Sequence, residues 1–352
     1  MPDTLSLNRH LADALTLRQL HARRVERKLS RTLLALLAAL EWDVRAAVQA
    51  HDPTGYVDPA RRRWEVDALM RETIVPKIRA QYRRYTSLML AAMLWLAREE
   101  AMVVWREVRR LQPGSLLTTL PDPATLKETL EDTPFPVTPN PGDRALVGAA
   151  WWALLGEQFA DRITQTLREG VTQGETLEQI QARLQGTQRQ DFEDGVAARA
   201  RHAVQWLLTT QITHALTQAH EALGQANPQA GMILRHSSIL DSRTSTICLA
   251  RHGLTFDAVT HAPIGHTLPY LGGTPYHPNC RSHMALLFAD GGPVEQENLT
   301  AFLQRQTVTF QDELLGPSRA QAFRAGALTP AQLLDAATGQ PLTLAELGLP
   351  RV

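Results

Sequence analysis

The sequence predicts a mainly α protein: a long N-terminal helical hairpin, a linker, and a helical domain that carries a small loop-rich α+β Cys/His unit and a short helical tail. Three observations lead there. Residues 5–50 and 64–111 are rich in Leu, Ala, Arg and Glu, with apolar residues three and four apart, the spacing of one helix face. Residues 112–143 hold seven prolines. Both cysteines and six of the twelve histidines fall between 231 and 290.

The two long segments are joined by "HDPTGYVDPARRR", whose Pro, Gly and Asp favour a turn, so the segments should pair as a hairpin over residues 1–111. Pro76 lacks an amide hydrogen and sits early in the second segment, where a kink or break is expected. The Pro-rich stretch 112–143 reads as a linker or extended arm. A helix is expected over 144–170, ending on Gly170, and a second opens at Thr176, with Gln179 completing a capping box. A long helix follows over about 194–224. "GMILRHSSIL" then reads as a strand leading into the compact unit, and the domain as a whole is expected to span 144–290. The tail, 291–352, should form short helices, marked by Thr329-Pro330 with Gln332 and by Thr343 with Glu346.

Bulk composition removes several classes. Basic and acidic side chains balance at 36 each, so no overall field draws the chain to nucleic acid or an anionic membrane. The apolar runs "LLALLAAL" and "LMLAAMLWLA" are well short of the roughly 20 residues a membrane-crossing helix needs. The first residues are polar where a signal peptide is apolar, which makes a cytoplasmic origin the expectation. Local charge does stand out: Arg18, Arg23, Arg24, Arg27, Lys28 and Arg31 make part of the first helix basic, either as a solvated face or as a surface for DNA or an acidic partner.

The chemistry concentrates in "LDSRTSTICLARHGLTFDAVTHAPIGHTLPYLGGTPYHPNCRSHMALLF", residues 240–288. Cys248 with His252, and His277 with Cys280, form two close pairs within 241–283. Two such pairs can supply the four thiolate and imidazole ligands that zinc prefers. Cys248 and His252 would share a face of a helical turn; His277 and Cys280, around Pro278, would form a tight knuckle. A structural zinc would also supply folding energy to a unit with little room for a core. A reduced, buried cysteine pair and a disulfide remain open beside the metal reading, and His261, His266 and His283 are rival ligands. Asp241 and Arg243 read as a local ion pair and Arg281 as a brace for the turn. There is no nucleophile elbow, Walker A loop or dinucleotide fingerprint.

"LDSRTSTICLARHGLTFDA" followed by "TPYHPNCRS" resembles the signature of the phage Mu F-type minor head proteins, the head morphogenesis family. The motif falls on Asp241, Arg243, Thr244, Cys248, His252, Gly253, His277, Pro278, Asn279, Cys280 and Arg281. The family often has a further cysteine after the arginine, where this chain has Ser282. The resemblance implies a structural virion component and not an enzyme. Such a protein assembles inside the capsid from the host cytoplasm and associates with portal, capsid and scaffold components. The resemblance further implies a part in DNA retention or delivery, for which the basic first helix offers a contact. The competing readings are a zinc-dependent nuclease or hydrolase using the Cys/His unit, and a nucleic-acid-binding module using the first helix.

Overall fold

A computed structural model describes residues 4–112, 114–135, 145–291 and 299–351. The chain is mainly helical, with one small antiparallel sheet. Two compact units interleave along the sequence: one takes residues 1–22, 93–145 and 210–352, the other 23–92 and 146–209.

In the unit formed by 23–92 and 146–209, α1 (Thr4–His51) turns through residues 52–58 into α2 (Pro59–Leu69). Asp52 accepts from the Thr54 amide, and Asp58 caps α2 by accepting from the amides of Ala60 and Arg61, with Pro59 at the first helical position where its missing amide costs nothing. His51 pairs with Glu65 at 3.0 Å, and Tyr85 donates to the Leu33 carbonyl at 3.2 Å, so the two arms run antiparallel as a hairpin. The break expected at Pro76 takes a specific form. A π-helical turn, Met70–Ile74, joins α2 to α3 (Val75–Leu111). Its wider winding lets the chain pass a proline near the start of α3 without ending the arm.

Next comes α5 (Gly148–Gln173), which packs Trp152 on Tyr85 at a ring separation of 5.4 Å. This helix does not end at Gly170 as the sequence suggested. It runs on to Gln173, and Gly174, at φ +73°, provides the left-handed terminus. Gly170 is there for space: a Cβ on it would lie 2.5 Å from Ile180. The capping box at Thr176 and Gln179 opens α6 (Leu177–Gln185) as expected.

The other unit holds the sheet. Here α4 (Pro123–Asp132) interrupts the Pro-rich stretch, capped by Asp122 and burying Leu126 and Leu130. That stretch is therefore partly helical and packed; its residues 113 and 136–143 lie outside the described residues. The long helix α7 (Val196–Gln225) leads to β1 (Met232–Ser237), α8 (Thr246–Arg251), β2 (Thr255–Asp257), β3 (Pro263–Ile264) and β4 (His283–Phe288). The strand order is β3-β2-β1-β4, all antiparallel. Asn8 of α1 closes the β4 edge by donating to the Phe288 carbonyl and accepting its amide, both at 3.0 Å. Leu11, Leu15, Val104, Val108 and Leu223 cover one sheet face.

The tail forms α9 (Leu299–Gln304), α10 (Val308–Leu315), α11 (Pro317–Arg324) and a 3-10 turn over Pro330–Leu333, which pack Leu303, Phe323 and Leu333 on Leu249 and Ala250 of α8. Thr343 and Glu346 exchange the expected capping bonds, but only turns follow them. A short helix is not formed there. Among the described residues no helix is long and apolar enough to cross a membrane.

Candidate metal centre

Two local structures bring the donors together. In the first, the Asp241 carboxylate accepts from the Arg243 amide and the Thr244 hydroxyl donates to the Ile239 carbonyl, folding 239–244 so that Ser245 becomes the N-cap of α8. Cys248 then lies in the first turn, and its amide donates to Ser245 Oγ. In the second, His277-Pro278-Asn279-Cys280 is a tight turn. The Cys280 amide donates to the His277 carbonyl at 3.2 Å, Pro278 holds the second position, and Asn279 takes φ +56° at the third. Pro followed by Asn suits a type II turn, whose third residue needs positive φ. Arg281 clamps the two pieces by a bidentate pair with Asp241, one bond measuring 2.8 Å.

Three of the four residues singled out from the sequence meet. Cys248 Sγ lies 3.2 Å from His277 Nε2 and 3.6 Å from Cys280 Sγ, and the three donor atoms all fall within 4.8 Å of one another. A tetrahedral zinc with bonds of about 2.3 Å to sulfur and about 2.0 Å to nitrogen sets donor–donor edges of about 3.8 and 3.5 Å, so the group is close to the size the ion needs. His277 Nδ1 donates to the Pro278 carbonyl at 2.8 Å, which leaves the Nε2 lone pair facing the sulfurs. Such an outer bond is how metal-bound imidazoles are usually oriented.

The fourth, His252, is not in the group. Helix α8 stops at Arg251, so the four-residue spacing that would have aligned His252 with Cys248 is lost at the helix end. Its Nδ1 accepts the Ser238 amide instead, and burial, together with the Arg235 guanidinium, pushes its pKa down to about 4. The rival histidines are elsewhere too. His266 bonds the Thr255 carbonyl, His261 stacks on Tyr270, and His283 opens β4.

Burial and charge shape the sulfurs. Both cysteines are free and buried, beside Ile247 and Tyr276. The Cys280 thiol is pulled well below its ordinary pKa by a hydrogen bond from Cys248 and by His277; Cys248, which gives that bond and is desolvated, is pushed up. Burial lowers His277, but the charge on Cys280 outweighs it and raises the imidazole.

Sequence reasoning missed the serines. Ser245 Oγ lies 2.8 Å from His277 Nε2, and Ser238 links the Cys248 carbonyl to the Ser282 hydroxyl. Only Ser245, as a helix cap ahead of "TIC", carried a local signal. Arg281 holds the Asp241 carboxyl well below the usual carboxylate range, which makes it a weak proton acceptor.

Comparison with known proteins supports the family reading. Residues 161–285 match the family described as Phage Mu protein F like protein. The match runs from α5 to β4 and contains every donor of the centre. No curated protein and no solved structure matches the chain.

Proposed function

From the Phage Mu F-like character of residues 161–285, we propose that this chain is a structural minor component of a tailed-phage or prophage head, acting through protein contacts during head assembly. The family match is the observation that carries this reading. On it rest the finer parts of the proposal: residence inside the capsid, association with portal, capsid and scaffold components, and a share in retaining or delivering DNA. Quantitative mass spectrometry of purified proheads and mature particles tests it. The protein is expected in both or in one; if it is missing from both, the virion role is wrong.

The DNA contact is assigned to α1. Arg24, Arg27, Lys28 and Arg31 are exposed, recur at helical spacing, and make no ion pair among the described residues. They cover about 10 Å of helix. Arg18 and Arg23 are already paired, with Glu100 and Glu26, and are left out of that surface.

The Cys/His centre is assigned a structural zinc held by Cys248, His277 and Cys280, within a domain spanning about 144–290. Three donors at tetrahedral spacing support this. The hydrolase alternative also begins from three protein ligands. Against it, the cavity touching Cys248 and His277 is small, about 10 Å³, rather than a formed substrate cleft.

A further inference from the structure

We propose that one water molecule completes the metal centre, seated between the hydroxyls of Ser245 and Ser282, so that the ion has three protein ligands and one exchangeable position. This rests on the metal reading above and adds the identity of the fourth donor.

The first ground is the donor count. Soft divalent ions of the zinc type take four ligands, and among the described residues three come together. His252 is bound to the Ser238 amide, and the remaining histidines of the unit are outside the group.

The second ground is a cavity of matching size. Its volume of about 10 Å³ is close to the smallest that admits a single water. Cys248, His277, Ser245 and Ser282 line it and Cys280 does not, so it lies beside two of the three donors, on the side away from the buried Cys280. A water there has the polar partners that a buried water requires: the ion and two hydroxyls. Arg243, largely exposed, lines the same cavity and marks its route to solvent.

The third ground is what the serines do without an ion. Ser245 Oγ is 2.8 Å from His277 Nε2, close enough to donate to the lone pair that an ion would take. Once that lone pair binds the ion, the hydroxyl is released to bond the water. Ser282 is only 3% exposed, lines the cavity beside Cys248, and bonds the Ser238 hydroxyl at 3.0 Å, which leaves it able to bond a water as well. A thiol at position 282 would point a third sulfur at the same opening. The cavity holds a water but nothing larger, so the exchangeable position completes coordination and does not turn over a substrate.

The test uses the full chain loaded with Co(II) in place of zinc. In water enriched in oxygen-17, the Co(II) electron paramagnetic resonance signal should broaden in the unsubstituted protein and equally in His252→Ala. Ser282→Cys should abolish the broadening, and X-ray absorption should count three sulfurs where the unsubstituted protein shows two. An unbroadened signal in the unsubstituted protein overturns the water, whatever the variants do. Ser282→Cys that folds and binds Co(II), yet keeps two sulfurs and the broadening, overturns the placement between the serines. Failure of the unsubstituted chain to take up one metal ion at all removes the metal reading itself, and this proposal with it.

Discussion

Two polar clusters are buried in the same unit and differ in one respect. Around His220, 1% exposed, every group of the imidazole and of the neighbouring carboxylate is used. The ring nitrogens face the Met284 carbonyl and Glu100, and the second Glu100 oxygen takes Arg18 Nε at 2.8 Å. Burial alone would raise the Glu100 carboxyl, but His220 and Arg18 hold it below its ordinary value. Around Cys248, His277 and Cys280, the donors instead converge on one another, with no charged side chain of another kind among them. The first cluster is closed by protein charges; the second has donors in excess. Burying polar groups is costly unless they are paired; the first cluster meets that cost with a salt bridge, and the second is the one for which an ion is proposed.

The largest effect should come from breaking the closed cluster. Glu100→Ala strands Arg18 and His220 in the interior, and denaturant unfolding should show a loss of about 3–5 kcal/mol. Added zinc should not restore it. If zinc did restore it, the two clusters would not be independent.

Cys280→Ala tests the other side. With metal at about a thousand times its dissociation constant, binding contributes about 4 kcal/mol to the folded state, and the variant should lose that amount. In chelator, the variant and the unsubstituted protein should differ by only about 1 kcal/mol, the cost of a small core truncation. Equal losses in both conditions would mean that the cysteine is only packing.

A smaller effect is expected at the clamp that sets the two loops together. Arg281 depresses the Asp241 carboxyl, so the pair's contribution is present above the unfolded carboxyl pKa of about 3.9 and is lost as pH falls below it. Asp241 is about a third exposed, and solvent screening limits the gain to about 1 kcal/mol. Arg281→Ala should therefore be destabilised at pH 7 by about that much, with the difference shrinking as the solution is acidified through pH 4 and below. A difference that grew on acidification would contradict the assignment.

The smallest effect on stability belongs to α1. Replacing Arg24, Arg27, Lys28 and Arg31 by Ala should change unfolding by no more than about 0.5 kcal/mol. If these side chains contact DNA, the slope of log affinity against log salt should fall by about 3.6. An unchanged slope would remove that surface from the account.

Much of this was legible in residue patterns, and the misses have physical causes. Long apolar periodicities specified the hairpin, and the Thr176/Gln179 cap located α6. Gly170 misled because a glycine can be selected for close packing, here against Ile180, as well as for a helix end. The prolines of 112–143 concealed α4 because Pro123 sits at its first position, where proline is welcome. At the centre, the turn residues Pro278 and Asn279 made the His277–Cys280 knuckle readable. His252 falls outside the donor group because its spacing from Cys248 presumes a continuing helix, and α8 ends one residue too soon. Ser282 could not be read as a neighbour of Cys248, since they lie 34 residues apart and meet through tertiary contacts, the Ser238 bridge and the Asp241–Arg281 clamp.

Native mass spectrometry of the full chain, with metal analysis alongside, tests the central claim most directly. The account predicts one zinc per chain in the unsubstituted protein and in His252→Ala, and none in Cys280→Ala or His277→Ala. A metal-free unsubstituted protein purified without chelator and refusing added zinc would contradict it, as would loss of the ion in His252→Ala alone.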